Sequence, residues 1–436
     1  MLARIRESIT KLNSSSKPIK VISHHDTDGI TSAAIFSRAL QRANKKFSLQ
    51  IVKNLDQSFI QSLPEDQTLI FLDLASGSLD YLAEKKTDVF ILDHHEIAQD
   101  IPNNVTMINP LLVGEERYSG AAVCYLFARE LSQHNKDLAT LAVIGLVGDQ
   151  FMEPQGPMHH SILKDAEVNV KRGLLLYPAT RPLDKVLEYS SSLYIPEVTG
   201  SFKGVLELLR EAGIEKTSKG YKSLVELSEE EMSRLVTAIM LRKVGDASAS
   251  DMIGNLYLLK FFNQIEDARE LSANINACSR MGYPEAALGL CLGNKNAKKE
   301  SEKIYLEYKQ NIASAMKFIS ETEKITGKNY TIINAQDKIK DTIIGTAASI
   351  VAFSPLYPEG TVIVALAYDN DKIKISARLA GRKGRNLREM LTQVISPLEG
   401  EVGGHPNAAG GLIHKSKELE LIEGLKNALE IELVKV

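Results

Sequence analysis

The stretch that most constrains the fold is Ile22-Ser-His-His-Asp-Thr-Asp-Gly29, which ends an apolar strand pattern and opens a helical one. A strand that passes through a tight turn into a helix is typical of an open α/β sheet, whose functional sites lie beyond the carboxyl ends of the strands. In this turn His24, Asp26 and Asp28 can converge on a cation, and Gly29 allows the backbone to turn sharply. Taken alone, the stretch fits a solvated Asp-rich turn equally well.

Strand and helix patterns alternate through residues 19–150. The expected strands, all rich in β-branched or aromatic residues, are Ile19–Ser23, Phe47–Val52, Thr68–Asp73 and Asp88–Leu92. Helical segments separate several of them, and two further helices are expected at Ala121–Leu131 and Asp137–Gly148. This alternation predicts a mostly parallel, doubly wound sheet, and therefore the α/β fold class.

The hydrophobic pattern of the sequence changes after about residue 163, where amphipathic helices with little strand signal begin. The pattern predicts an N-terminal domain that is interrupted by a helical insertion and is followed by a connector helix and a smaller C-terminal α/β domain. The expected boundaries are 1–163 and 263–293 for the N-terminal domain, 164–262 for the insertion, 294–326 for the connector and 327–436 for the C-terminal domain. In the last domain we expect a strand at Tyr330–Asn334, a helix at Asp341–Phe353, a hairpin of Thr361–Ala367 with Lys372–Arg378, and a terminal helix at Glu418–Leu429.

Composition narrows the class of protein. A length of 436 residues implies more than one domain, and a net charge of −3 gives no global signal for nucleic-acid binding, so a basic path would have to be local. The cysteines are odd in number and lack C-x-x-C spacing, which argues against a disulfide framework and against a zinc ribbon. The longest apolar run, Leu138–Val147, is too short to span a bilayer. We therefore expect a cytoplasmic protein that is not membrane-bound.

Acids and imidazoles follow two further strands and one helix. Asp73 ends the third expected strand, Asp93-His94-His95 ends the fourth, and Asp149 ends an apolar helix. Each feature has an ordinary explanation when taken alone: a turn acid, an exposed histidine pair and a frayed helix end. Parallel strands, however, bring their carboxyl ends to one edge of a sheet, so these groups are expected to lie together.

The combined set contains four to five carboxylates and two or three imidazoles. Such a set suits two borderline-hard ions such as Mn²⁺ better than a structural zinc site. Paired ions roughly 3.5–4 Å apart can activate a water molecule and neutralise charge that develops on a phosphate. The residues alone therefore predict two-metal hydrolysis of a phosphoester.

A family resemblance makes this expectation specific. Four ordered motifs resemble those of the DHH phosphoesterase superfamily: His24-His25-Asp26-Thr27-Asp28-Gly29, Asp73, Asp93-His94-His95 and Asp149. Gly403-Gly404-His405-Pro406-Asn407-Ala408-Ala409-Gly410 resembles the GGH motif of the associated C-terminal DHHA1 domain. Ile275-Asn276-Ala277-Cys278-Ser279-Arg280 is similar to a stretch of RecJ nucleases, although Ser279 stands where those proteins often have glycine. Within this superfamily the chain resembles the archaeal RecJ-like nucleases that associate with GINS.

The resemblance implies a role for each matching residue. One ion would be held by His24, Asp26 and Asp73, and the other by Asp28, Asp73, His94 and Asp149. Asp93 would orient a neighbouring imidazole, while His95 and His405 would contact the scissile phosphate. The expected substrate-binding residues are Asn276, Arg280, Arg378, Gly403, Gly404 and His405. A basic patch that consists of Arg382, Lys383, Arg385 and Arg388 fits either a solvated turn or a groove for a single strand.

The implied activity is that of a Mn²⁺-dependent exonuclease, with Mg²⁺ as the alternative ion, that acts on single-stranded DNA or RNA and releases 5′-nucleotides in DNA replication or repair. An enzyme of the same class could instead hydrolyse short oligoribonucleotides, as nanoRNases do, or a cyclic dinucleotide. A non-enzymatic alternative is a replisome scaffold that binds GINS, similar to the non-catalytic subunit of the eukaryotic replicative helicase. The insertion is the expected surface for such a partner.

Overall fold

The computed structural model describes residues 1–114, 118–151, 153, 156–188, 190, 193, 195–243, 252–354, 356–381 and 383–430. It divides into two compact units, Met1–Tyr305 and Leu306–Val436. The strands are β1 Ile19–His24, β2 Phe47–Val52, β3 Thr68–Leu72, β4 Val89–Leu92, β5 Val105–Ile108, β6 Asn169–Leu174, β7 Ile253–Phe261, β8 Gln264–Asp267, β9 Ile325–Gly327, β10 Tyr330–Asn334, β11 Val362–Asp369, β12 Lys372–Leu379, β13 Glu401–His405 and β14 Ala408–His414.

The helices are α1 Leu2–Ser14, α2 Thr27–Arg42, α3 Gln57–Ser62, α4 Leu79–Ala83, α5 Gly120–Leu131, α6 Ala139–Gly148, α7 Pro157–Asp165, α8 Leu183–Glu188, α9 Phe202–Glu211, α10 Glu229–Arg242, α11 Ala268–Arg280, α12 Pro284–Cys291, α13 Lys295–Glu321, α14 Asp341–Ala352, α15 Leu387–Ile395 and α16 Glu418–Glu430. The predicted α/β class is confirmed, with a parallel sheet in the first unit.

The parallel sheet has the strand order β2-β1-β3-β4-β5. Chain order reverses between β1 and β3, so the loops after these two strands leave the sheet side by side. Such a switch point is where doubly wound folds bind their ligands. The first acidic turn follows β1 and Asp73 follows β3, which places both at this point. The strand β5 did not appear among the expected strands.

Both faces of β3 and β4 are buried, as their continuous apolar sequences require. Alternate residues of one strand point to opposite faces, so Ile70 and Leu72 join the core beneath α2 and α5, whereas Leu69 and Phe71 join the core beneath α3 and α4. The helix α2 is buried along most of its length and packs on both α5 and α6. This packing fixes the acidic turn at its N-terminus.

The insertion contains strands that the sequence analysis did not anticipate. β6 and β7 lie within it and form an antiparallel sheet with β8, which follows residue 262, so the expectation of little strand signal between residues 164 and 262 was wrong. Leu256 of β7 belongs to the core beneath α8, α9 and α10, whereas its neighbour Tyr257 belongs to the core of the parallel sheet. The strand therefore serves both cores, and the exact domain boundaries stay predictions.

The second unit is built on a mixed sheet with the order β13-β14-β12-β11-β10-β9. β11 and β12 form the expected hairpin, and Asn370 adopts a left-handed conformation (φ 53°) at its turn. The helices α15 and α16 contribute to the same apolar core as the strands. The Gly-Gly-His motif lies on β13, at an edge of this sheet, rather than in a loop.

A substitution at Gly145 can test the packing beneath the acidic turn. A Cβ at Gly145 of α6 would lie 2.5 Å from the Cβ of Ala121 and 2.5 Å from Oδ1 of Asp28. We expect Gly145→Ala to lower the free energy of unfolding by about 1–3 kcal/mol, because three helices must separate to admit the methyl group. Urea denaturation measures the change. Gly77→Ala, whose Cβ would meet nothing within 4 Å, is the control, and an equal loss in both variants would contradict the packing.

Candidate metal centre

The turn after β1 is built around its own hydrogen bonds. Asp26 caps α2 by accepting a hydrogen bond from the backbone N–H of Gly29 (3.0 Å), and the Ser23 hydroxyl donates to the Gly29 carbonyl (2.7 Å). A Cβ at Gly29 would collide with the backbone of His24, so only glycine fits this close approach. The turn therefore holds its imidazole and carboxylates in a fixed geometry.

Asp28 is buried against the N-terminus of another helix. Its carboxylate accepts hydrogen bonds from the backbone N–H groups of Gly120 and Ala121, at the start of α5. The positive end of a helix dipole stabilises such a negative charge. A Cβ at Gly120 would lie 2.7 Å from the Cβ of Asp73, so the close approach of this helix also depends on glycine.

Asp73 has an unusual backbone. Its φ of 59° lies in the left-handed region, as does that of Ala75 (φ 88°), and non-glycine residues adopt this region at an energetic cost. Its N–H donates to the Leu92 carbonyl at 2.9 Å, which fixes the loop to the end of β4. The buried carboxylate is thereby aimed at the switch point between β1 and β3.

The structure brings the predicted ligands together in two groups, each with atoms within 4.8 Å of one another: His24, Asp26 and Asp73, and Asp28, His94 and Asp149. A further group of the same kind combines Asp73 and His94 with Asp93 and His95. Asp73 connects the first two groups. Its Oδ2 lies 3.5 Å from His24 Nδ1, and its Oδ1 lies 3.2 Å from His94 Nε2. His94 Nε2 is also 3.2 Å from Asp149 Oδ2. The first group has the members of one predicted ligand set, whereas the second lacks Asp73, which the prediction placed in both sets. Ligation itself stays a prediction.

The electrostatics of these groups fit cations. Burial and the charges of Asp28 and Asp26 raise the pKa of Asp73 well above its ordinary value. Burial and the charge of Asp28 likewise raise the pKa of Asp149 to about 10. Both His24 Nδ1 and Asp73 Oδ1 are buried without an aligned hydrogen bond. Crowded carboxylates and unpaired ring nitrogens are the donors that divalent ions such as Mn²⁺ use, so the residues present fit this kind of ion.

The Asp93 carboxylate is engaged in hydrogen bonds with other groups of the protein. Burial opposes its ionisation, but the hydrogen bond to His95 and the charges of His95 and His94 hold the pKa of Asp93 below its usual range. Its Oδ1 lies 2.7 Å from His95 Nδ1, and the hydrogen bond between them raises the pKa of His95. The neighbouring imidazole that Asp93 was predicted to orient is therefore that of His95.

Asn276 and Arg280 lie on α11 and contact each other. Arg280 Nε donates to Asn276 Oδ1 at 3.3 Å. The helix is joined to the metal centre because the Thr27 hydroxyl donates to the Ser272 carbonyl at 2.9 Å. Burial and the charge of His24, followed by those of other groups including Arg280, lower the pKa of His25 to about 4. Ser279 is on the buried side of the helix.

The remaining predicted substrate residues belong to the second unit. His405 is exposed on β13, and Gly404 has a φ of 114°. Ala408 of β14 pairs with His405 on one side and with Arg378 of β12 on the other, so both predicted residues lie in one row of the sheet. The Arg378 guanidinium donates to the Ser349 hydroxyl (2.8 Å) and to the Ala377 carbonyl (2.8 Å), so it also supports the domain.

The basic patch is not uniform. Lys383 and Arg388 are exposed, whereas the Arg385 guanidinium donates to the Ala428 carbonyl near the end of α16 (2.6 Å), and burial lowers its pKa. Arg382 lies outside the described residues. Arg385 is thus engaged by the fold, and two of the four cations are exposed within the part of the chain described.

Sequence reasoning missed several residues that support the site. The backbone of Gly120 and Ala121 binds Asp28, Thr27 joins α2 to α11, and Asn109 hydrogen-bonds the carbonyl of His95. A Ser-Gly helix start was visible in the sequence at residues 119–120, but its partner lies 92 residues away. Asn109 follows β5, and without that strand its position could not be assigned.

Family models match three parts of the chain: the DHH family N-terminal domain at residues 18–146, the DHH-CID domain at 176–257 and the DHHA1 domain at 327–431. An uncharacterized protein of Methanocaldococcus jannaschii is 28% identical over 424 residues, which cover 93% of this chain and 91% of that protein. The chain therefore contains both the DHH domain and the DHHA1 domain that the resemblance predicted.

Solved structures share the fold. Exonuclease RecJ bound to manganese superimposes with a TM-score of 0.63 at 17% identity, over 98% of this chain and 95% of that chain. CDC45 from Entamoeba histolytica superimposes with a TM-score of 0.64 at 13% identity, over 99% of each chain. Within the residues that the structure describes, no helix is both long enough and apolar enough to cross a bilayer.

Binding of a divalent ion should be visible as a change in stability. We expect Mn²⁺ to raise the melting temperature of the wild type, because a ligand at 100 times its dissociation constant adds about 2.7 kcal/mol to the free energy of unfolding. Asp73→Asn should melt at or above the metal-free wild type, since a crowded carboxylate is removed, and should lose most of the Mn²⁺-dependent rise. Differential scanning calorimetry with and without Mn²⁺ measures both.

Asp137→Asn is the matched control, because this carboxylate is paired with Arg42 on the surface (2.7 Å) and is not a predicted ligand. Its Mn²⁺-dependent rise should equal that of the wild type. A full rise in Asp73→Asn would refute a shared carboxylate.

Proposed function

We propose that this chain is a two-metal-ion phosphodiesterase that acts as a single-strand-specific exonuclease on DNA or RNA and releases 5′-nucleotides. The observation that carries the proposal is the position of Asp73 between two groups of ligand-type atoms, 3.5 Å from His24 and 3.2 Å from His94. A carboxylate shared in this way suits two adjacent divalent ions. One of the two solved structures compared is itself an exonuclease bound to manganese, which supports the same chemistry.

The bound ions would supply a nucleophilic water and would neutralise charge on the phosphate. His24, Asp26 and Asp73 would hold one ion, and Asp28, Asp73, His94 and Asp149 the other. His95, fixed through Nδ1 by Asp93, would present Nε2 to the phosphate. In the reaction, the water oxygen forms the new bond to phosphorus, the bond to the O3′ leaving group breaks, and that oxygen takes up a proton.

Substrate binding is assigned to two regions. Asn276 and Arg280 would bind backbone phosphates beside the metal centre, because a guanidinium and an amide donate readily to phosphate oxygens. In the second unit, Gly403, Gly404 and His405 would supply backbone amides and an imidazole for the same purpose, with Arg378 in the same row of the sheet. A glycine pair suits this role because the backbone can approach the ligand closely.

Mn²⁺ is the ion that we expect to support the highest activity, with Mg²⁺ as a weaker substitute. Each of the two ligand groups contains an imidazole nitrogen, and nitrogen donors suit Mn²⁺ better than Mg²⁺. We place the activity in DNA replication or repair, where single strands are exposed.

The test is degradation of single-stranded DNA and RNA that carry a label at either end, with Mn²⁺ present. We expect stepwise shortening by the wild type and a loss of at least about a thousandfold in Asp28→Ala, since removal of a residue that acts within a catalytic unit costs that much or more. Asp137→Ala, on the surface, is the control. If long strands stay intact while di- or trinucleotides are hydrolysed, the protein is instead an oligoribonuclease. If only a cyclic dinucleotide is hydrolysed, it is a cyclic-dinucleotide phosphodiesterase.

A scaffold role is a second candidate function. The fold matches CDC45 over 99% of each chain, and the DHH-CID match at residues 176–257 falls within the insertion expected to bind a partner. We propose that the insertion binds GINS subunits. Such binding is compatible with activity, because the insertion has an apolar core of its own around Leu187, Leu208 and Leu235.

Deletion of the insertion tests this candidate. Leu174 and Ile253 face each other across the β6–β7 pair, so an Asn-Gly turn can replace residues 176–251 and close a hairpin. We expect the deleted protein to lose pull-down of GINS subunits and to keep its Mn²⁺-dependent thermal shift. Unchanged pull-down would exclude the insertion as the binding surface.

A further inference from the structure

Asn109 is a buried residue that the proposed chemistry does not use. It directly follows β5 and is 1% exposed, and β5 ends in no predicted ligand although it reaches the same edge of the sheet as β1, β3 and β4. We propose that Asn109 is a positioning residue for His95. The inference rests on the proposed function only in the role it gives to His95.

The side chain of Asn109 is fully engaged. Its Nδ2 donates to the His95 carbonyl at 2.9 Å and lies 3.3 Å from the Ser76 hydroxyl oxygen. Its Oδ1 accepts from the backbone N–H of Leu111 at 3.0 Å, which caps the short helical turn that begins at Pro110. The amide nitrogen thus faces the site, and the amide oxygen faces its own loop.

These contacts close a ring of hydrogen bonds. The backbone N–H of Ser76 donates to Asp93 Oδ2 at 3.1 Å, and Asp93 Oδ1 is bonded to His95 Nδ1 at 2.7 Å. Asn109 closes the ring because its Nδ2 contacts both the Ser76 hydroxyl oxygen and the His95 carbonyl. The ring therefore connects the loop after β3, the end of β4 and the end of β5. Hydrogen bonds in such closed networks strengthen one another in a buried setting.

His95 needs this anchor because its side chain is not enclosed. The imidazole is 49% exposed, whereas the Asp93 carboxylate that binds it is fully buried. One hydrogen bond to an exposed ring leaves its direction poorly fixed unless the backbone that carries the ring is held as well. Asp93 Oδ1 holds that backbone from one side, at the N–H groups of His94 (2.8 Å) and His95 (3.4 Å). Asn109 holds it at the His95 carbonyl, so Nδ1 stays on Asp93 and Nε2 stays available to the phosphate. A displacement of about 1 Å at such a position can reduce turnover about 100-fold.

A purely structural cap is the competing explanation, and Asn104 provides the matched comparison. Asn104 stands at the other end of β5, where its Nδ2 donates to the Leu82 carbonyl (3.0 Å) and the Lys85 carbonyl (2.9 Å). In both asparagines the side-chain Nδ2 donates to a backbone carbonyl of another segment, but only Asn109 does so at the metal centre. Loss of fold stability alone should affect activity equally in the two variants.

The kinetic test compares Asn109→Ala with Asn104→Ala on a substrate that the wild type degrades. We expect kcat to fall about 10- to 100-fold in Asn109→Ala with KM little changed, because the ring orients a group without binding the substrate. Asn104→Ala should keep the wild-type kcat. Asn109→Ser keeps an N-cap oxygen for Leu111, so it should fold, but its shorter side chain cannot reach both Ser76 and His95, and kcat should fall as in Asn109→Ala. Equal kinetics in Asn109→Ser and the wild type would overturn the proposal.

A second readout needs no substrate. The protein labelled with ¹⁵N-histidine, with Mg²⁺ bound, should give a downfield Nδ1–H resonance that is identified by its disappearance in His95→Gln. We expect Asn109→Ala and Asn109→Ser to broaden or lose this resonance and Asn104→Ala to keep it. Retention in both Asn109 variants would overturn the proposal even if the wild type degraded no nucleic acid, so failure of the proposed function and failure of this inference are distinguishable.

Discussion

Burial of negative charge at the β1/β3 switch point is the constraint on which the rest of the structure depends. Asp28 and Asp73 are almost inaccessible to water, and an isolated carboxylate is costly to ionise in such a place. The fold meets part of this cost with backbone donors: the start of α5 binds Asp28. We propose that bound cations offset the remainder. Glycines at 120 and 145 let the helices come close enough for this arrangement. The geometry of the site therefore depends on the close packing of α2, α5 and α6.

Much of this architecture could be predicted from local patterns. The bounds expected for β2 and β10 agree with the structure, and the meeting of Asp73, His94 and the first turn followed from the rule that parallel strands end at one edge. What could not be predicted depends on contacts distant in sequence. The strand β5 has four residues, as β4 does, but its apolar run is interrupted by Thr106, whereas that of β4 is continuous. Without β5, Asn109 had no assigned place, and its contact with His95 was invisible.

The insertion illustrates a second limit. Its helices carry strong amphipathic patterns, and Ser228 and Glu231 form a capping box at the start of α10. The sheet that attaches it was missed because β7 is apolar on both faces, a pattern that short buried helices share. The reason lies in packing: Leu256 serves the insertion core, and Tyr257 serves the parallel-sheet core. The insertion and the first domain are therefore expected to lose structure together, because neither core is complete without this strand.

The backbone at Asp73 carries a consequence for the evolution of such chains. Its φ of 59° lies in the left-handed region, and its N–H is bonded to the Leu92 carbonyl, so this conformation is part of the loop that follows β3. A descendant without the proposed catalysis could replace Asp149 with many residues, but position 73 would still favour glycine, asparagine or aspartate, which tolerate this conformation best. The acid at that position can therefore outlast the reaction, so its presence in a relative is weaker evidence of activity than the carboxylates around it.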